Sequence, residues 1–134
     1  MSNQLGQAMI SEKTVLVVDD DPDVVLGVSA RLRNAGYRTI TESDGASGIA
    51  TATAAQPDAI VMDLRLPRKD GLSALAELRQ SDETKHIPIV MLSACLREQQ
   101  RALDAGARYF LPKPYQGSIL VKAIDSAVDK AESE

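Results

Sequence analysis

A parallel α/β sheet covered by helices on both faces is predicted by three observations on this chain. Short apolar runs rich in β-branched residues, Val15-Leu16-Val17-Val18 and Ile60-Val61-Met62 among them, alternate with stretches of helical period, as strands buried on both faces do. Acidic residues stop those runs: Asp19-Asp20-Asp21 ends the first and Asp63 the second. Hydrophobic residues make up 44% of the chain but aromatic ones only 3%, so the core is aliphatic, as in a helix-covered sheet.

The elements follow in order. The body begins at Thr14 with strand Val15–Val18. Pro22 suits the first turn of a helix over Asp23–Asn34, where Val25, Val28 and Leu32 recur at three- and four-residue spacing and Asn34-Ala35-Gly36 supplies a stop. Strand Arg38–Thr41, helix Gly45–Ala55, strand Ala59–Met62 and helix Leu72–Gln80 come next. A strand over Ile87–Leu92 starts around Pro88, which lacks a ladder donor and is tolerated at a strand's first positions. Helix Arg97–Ala105 stops at Gly106, and strand Arg108–Leu111 and helix Gly117–Lys130 complete five βα units. Residues 1–12 read as a flexible polar arm, 13–130 as the domain and 131–134 as a frayed charged tail.

In such a sheet Asp19, Asp20 and Asp63 meet at the strand C-termini, the edge where open α/β sheets bind ligands. Two carboxylates about 4 Å apart repel by roughly 4 kcal/mol at an effective dielectric of ~20. A cluster of this kind shares a proton or holds a cation.

The 134 residues leave room for one domain and one sizeable core. The formal net charge of −4 argues against a nucleic-acid surface, which needs clustered Lys and Arg. The single cysteine makes no internal disulfide, and no apolar stretch reaches transmembrane or signal-peptide length. The expectation is a reduced, soluble, cytoplasmic protein.

Five elements, Val17-Val18-Asp19-Asp20, Asp63-Leu64-Arg65-Leu66-Pro67 with Asp70-Gly71, Leu92-Ser93-Ala94, Gly106-Ala107 and Lys113-Pro114, resemble in order and spacing the signature of response-regulator receiver domains. Each is weak alone; on five successive strands they are specific. The resemblance covers about residues 13 to 130. It implies a flavodoxin-like, doubly wound five-stranded sheet of order 2-1-3-4-5, and phosphorylation by a histidine kinase or histidine phosphotransfer protein of a signalling module that turns over no metabolite. It also implies Asp63 as phosphoacceptor, and Mg²⁺ held by Asp20, Asp63 and the backbone carbonyl of Arg65, with Asp19 acting through water. Lys113 and Ser93 would contact phosphoryl oxygens, Ser93 and Phe110 would form the switch, and Lys113-Pro114 resembles the family's cis peptide.

Two departures stand out. Phe110 lacks the hydroxyl many relatives carry there, leaving packing alone to select its rotamer, while Tyr109 points to the other face. The segment from Ser93 to Gly106 is about two residues shorter than the family pattern, so either the loop gating the site or the start of the fourth helix differs, and with it the face of helix four, strand five and helix five on which relatives form homodimers. Arg65 and Cys95 border the site.

Other polar residues have simpler roles. Asp21 and Asp23 suit helix capping and the helix dipole; Asp58 and Asp70-Gly71 suit turns, with Asp70 also capping the next helix. His86 reads as an exposed loop residue, Cys95 as a plain thiol, and Arg97, Arg101 and Lys122 as a solvated face. One competing function is a haloacid-dehalogenase-like phosphohydrolase, since Asp19-Asp20-Asp21 contains an Asp-x-Asp pattern. Against it, Asp23 stands where Thr or Val is usual and no later acidic pair completes the metal site. Another is a degenerate, phosphorylation-independent interaction module, which the full set Asp19, Asp20, Asp63, Ser93 and Lys113 opposes.

Overall fold

Strands whose every side chain is buried set the middle of the sheet. In the computed structural model, which describes residues 12–133, β3 (Ala59–Asp63) and β4 (Ile89–Ser93) are buried throughout, as is β1 (Thr14–Val18) from its second residue on. All pairings are parallel and the order is β2-β1-β3-β4-β5, with β2 at Arg38–Glu42 and β5 at Tyr109–Pro112. This is the doubly wound α/β fold expected.

Alternation along the strands divides the core in two. Leu16, Val18, Ile60, Met62, Ile89 and Met91 face helices α2 (Gly45–Ala55), α3 (Gly71–Gln80) and α4 (Gln99–Asp104), meeting Ala52, Ala74, Leu75, Leu78 and Ala102. Val15, Val17, Val61, Val90 and Leu92 face α1 (Pro22–Asn34) and α5 (Gly117–Ser133), meeting Val28, Leu32, Leu120, Ile124 and Val128. Each fully buried Leu, Ile or Val side chain contributes ~1.5–3 kcal/mol, so a one-residue register slip, which exchanges the two faces, is strongly opposed.

Aspartates start three helices. Asp21 accepts the Asp23 N–H at 2.9 Å, Asp44 the Ser47 N–H at 2.7 Å and Asp70 the Ser73 N–H at 2.9 Å. Asp21 and Asp70 therefore take the capping roles expected of them, with Asp23 in the first turn of α1.

Several limits differ from expectation. The fourth strand starts at Ile89, because Ile87 is held in a turn through its N–H to the Thr84 carbonyl, and Pro88 offers no donor. The fourth helix is a 3-10 turn, Leu96–Glu98, followed by only six α-helical residues, and neither piece has a side-chain cap. The fifth helix continues past Lys130 to Ser133. Asp58 does more than shape a turn: its carboxylate accepts the Thr14 N–H at 2.8 Å, tying the start of β1 to the approach to β3. His86 is exposed, as expected. The arm expected over residues 1–12 lies outside the described residues except for Glu12, which pairs with Arg38 at 3.0 Å; of the expected tail, Glu134 also lies outside them.

Candidate phosphoacceptor site

Register places the functional side chains. Val18 pairs with Met62, so Asp19 lies level with Asp63; Asp63 pairs with Leu92 and Ser93 with Pro112, so Ser93 and Lys113 emerge at the same C-terminal edge. Asp19 and Asp63 are buried and Asp20 is exposed. One carboxylate oxygen from each of the three lies within 4.8 Å of the others.

Lys113 answers the negative charge. Its Nζ donates to Asp19 Oδ2 at 2.9 Å and lies 3.4 Å from Asp63 Oδ2. The Lys113 N–H donates to the Ser93 carbonyl at 2.9 Å, fixing the lysine's backbone to the end of β4, and the Lys113-Pro114 peptide is cis. Asp19 also accepts the Asp21 N–H at 3.0 Å. Ser93 is buried, and its Oγ accepts the Cys95 N–H at 3.0 Å.

Burial pushes the Asp63 carboxyl above its ordinary value and the neighbouring Asp19 charge adds to it, against the opposing pull of Lys113 and the Arg65 backbone N–H. Burial alone would lower Lys113, but its hydrogen bond to Asp19 and the charges of both aspartates prevail and hold it above the ordinary lysine value. The lysine stays charged, and Asp63 beside it is buried and has lost much of its hydration.

A cleft of about 560 Å³ opens over this edge, lined by Asp63, Arg65, Ser93, Cys95, Arg97 and Lys113 with Ala94 and Leu96. The exposed Arg65 and half-buried Cys95 border it as the sequence implied. Phe110 is half-buried on the α2/α3/α4 face, while Tyr109 packs toward α5. Three hard carboxylate donors so close together, with the facing lysine offsetting part of their charge, fit a small hard divalent cation.

Sequence reasoning missed Asp44, a buried aspartate beneath the loop that leaves Asp63. Asp44-Gly45 directly before a helix, with Ser47 three residues on, was the available signal.

A doubly wound sheet whose switch-point edge holds an acidic trio, a lysine on a cis X–Pro and a serine defines a class of aspartate-centred signalling module. Comparison with known proteins gives the class its family. The family model of the response regulator receiver domain matches residues 15–125. The transcriptional regulatory protein PrrA of Mycobacterium leprae is 38% identical over 117 residues, 86% of this chain and 49% of that protein. PdtaR of Mycobacterium tuberculosis is 34% identical over 121 residues, 88% of this chain and 58% of that protein. Among solved structures, the chemotaxis response regulator CheY4 of Vibrio cholerae superposes with a TM-score of 0.81 at 30% identity, covering 87% of this chain and 99% of that one. The receiver domain of the sensor histidine kinase PA1611 of Pseudomonas aeruginosa, with a magnesium ion coordinated in its active-site cleft, superposes with a TM-score of 0.82 at 31% identity, covering 89% and 99%.

The chain belongs to the response regulator receiver family and is a phosphorylation-controlled module of two-component signalling. It spans about half the length of the first curated relatives it matches, 49% and 53%. Among the described residues no helix is long and apolar enough to cross a membrane.

Proposed function

We propose that Asp63 accepts a phosphoryl group from a phosphohistidine on a histidine kinase or phosphotransfer protein. An Asp63 carboxylate oxygen attacks phosphorus, the P–N bond breaks, and the imidazole leaves with its electron pair to take up a proton; the product is an acyl phosphate. The observation that carries this reading is the shared lysine: Lys113 Nζ lies between Asp19 and Asp63, at 2.9 and 3.4 Å, where an ammonium meets charge developing on the transferred group.

Asp19, Asp20, Asp63 and the Arg65 carbonyl are the residues we assign to Mg²⁺, which when bound neutralises phosphoryl charge. Ser93 donates its hydroxyl to a phosphoryl oxygen once its contact with the Cys95 N–H is exchanged, and Phe110 repacks behind it. Because the chain's own residues do the chemistry, small acyl phosphates serve as donors too, and water slowly removes the group. The receiver unit comprises residues 13–130, acts in the cytoplasm and changes its binding of an output partner, with the α4–β5–α5 face available for a homodimer.

Intact mass after incubation with Mg²⁺ and a small acyl phosphate tests the assignment. The expected result is a single phosphoryl adduct, absent with chelator and absent in Asp63→Asn. No adduct on folded parent protein overturns it.

A further inference from the structure

The seven-residue loop leaving Asp63, residues 64–70, reaches α3 by way of an unusual seat. Its first contact is with the site, where the Arg65 backbone N–H faces the Asp63 carboxylate. It ends where the Gly71 N–H donates back to the Leu64 carbonyl at 2.7 Å. Between these points Leu64 is buried and Leu66 packs against the core, while the side chains of Arg65, Pro67 and Arg68 are exposed, so the outer part of the loop has little apolar burial to hold its shape.

What holds it is the start of α2. The Gly45 N–H donates to the Pro67 carbonyl at 3.4 Å, and the Lys69 carbonyl sits so close that a Cβ added at Gly45 would lie 1.9 Å from its oxygen and 2.8 Å from its carbon. Asp44, buried one residue earlier, holds the turn beneath: Oδ1 accepts the Ser47 N–H at 2.7 Å, Oδ2 accepts the Ser47 hydroxyl at 3.0 Å, and Arg68 Nη1 reaches Oδ2 at 3.7 Å. Arg68 is itself in the left-handed region, at φ 69°, a conformation a non-glycine residue keeps only when its surroundings impose it.

We propose that Asp44 and Gly45 are positioning residues of the phosphoacceptor site: the capped first turn of α2 seats the loop and thereby fixes the backbone of Arg65 beside Asp63. The inference rests on the metal assignment made above. α2 is anchored from below, with Gly48 close against Val18 and Ala52 fully buried. A methyl at Gly45 therefore displaces the exposed loop rather than the helix. The loop is pinned at both ends within a few residues, so a shift at Lys69 is passed to Arg65.

The test is Mg²⁺ affinity, read by calorimetric titration of the full chain, for the parent, Gly45→Ala and Ala52→Gly. The last variant weakens the same helix without touching the loop. The expected result is a loss of about 10-fold in Gly45→Ala, the lower end of what displaced supporting groups cost a metal site, with Ala52→Gly unchanged. Parent-like affinity in folded Gly45→Ala overturns the proposal, as does an equal loss in both variants. If Gly45→Ala does not fold, Arg68→Ala decides: removal of a cation alone raises Mg²⁺ affinity, a loosened loop lowers it, and an unchanged or raised value overturns the proposal. A parent that binds no Mg²⁺ instead removes the metal assignment, and this inference with it.

Discussion

Asp19 and Asp63 end strands that are buried to their last residue, and each leads into a helix capped by an aspartate, whereas Ser93 and Lys113 lie on the side covered by an uncapped 3-10 turn and a six-residue helix. β3 and β5 show the same contrast, the first wholly buried and the second half-exposed along its length. The acidic half of the site is thus built into the best-packed part of the molecule and is in place before any phosphoryl group arrives. In the half that would respond to the phosphoryl group, Ser93 ends the wholly buried β4 and Lys113 is tied to Ser93, Asp19 and Asp63, but the covering α4 and β5 are weakly packed, and low local stability is where switching elements are found.

One group bridges the halves, and its removal is the largest perturbation expected. Lys113→Met leaves Asp19 and Asp63 facing each other without their shared cation. In chelator, urea denaturation is expected to show a loss of about 2–3 kcal/mol, less than the ~3–5 of breaking a fully buried pair, because the Lys113 side chain keeps 20% of its exposure. Added Mg²⁺ is expected to recover most of that loss. A variant equally stable in chelator breaks the comparison, since the acidic half would then need no answering charge.

Next in size are the caps. Asp70→Ala is expected to lower stability by about 1 kcal/mol, the usual effect of deleting a bonded N-cap. Glu98→Ala, beside the uncapped α4, removes only an exposed pair with Arg101 at 2.8 Å and is expected to change stability by about 0.2–0.5 kcal/mol. Equal effects would mean that the two sides are equally supported.

The same division marks what was legible in the sequence. The acidic half was readable because burial imposes continuous apolar runs, and the residue ending each run has one possible place. Asp19 and Asp63 follow from that logic, the cap at Asp70 was announced by its Asp-Gly turn, and β1, β3 and α2 lie at or within one residue of their expected limits, whereas Lys113 was placed by its resemblance to the family signature. The other half was not, because α4 has one fully buried residue, Ala102, and so little periodicity to read. Its 3-10 start follows a turn in which Ser93 Oγ holds the Cys95 N–H, a contact between a side chain and a backbone that no pattern announces. The seat beneath the Asp63 loop was equally hidden: a close approach of Gly45 to a carbonyl 24 positions away leaves no trace in local composition.

Amide hydrogen exchange sharpens the comparison without mutation. The amides of α4 are expected to exchange well before those of α2, since α4 lacks a cap and an extended buried face whereas α2 buries Gly45, Gly48 and Ala52 and carries the Asp44 cap. A pattern in which α2 opens first would place the weak element on the acidic side and reverse the argument.

The smallest effect concerns α5, which reaches both margins of the sheet. At the β2 margin the Tyr37 hydroxyl donates to Asp125; burial and that carboxylate push the phenol well above its ordinary value. At the β5 margin Tyr109 meets Ser126 and Lys130, and its phenol is lowered, first by the hydrogen bond with Ser126, then by Lys130, which stands 5.9 Å over the ring. The two linkages have opposite signs. The raised Tyr37 contributes stability that is complete below the unfolded phenol's pKa of about 10 and is lost as pH climbs through the folded value. The lowered Tyr109 contributes above the unfolded value, and its contribution disappears as pH falls through the folded one. With no tryptophan in the chain, tyrosinate absorbance is directly readable, and comparison of the parent with Tyr37→Phe and Tyr109→Phe assigns the steps. Tyr109 is expected to ionise before Tyr37; the reverse order would mean that α5 grips the β5 margin through the neutral phenol, making that margin the better-fastened one.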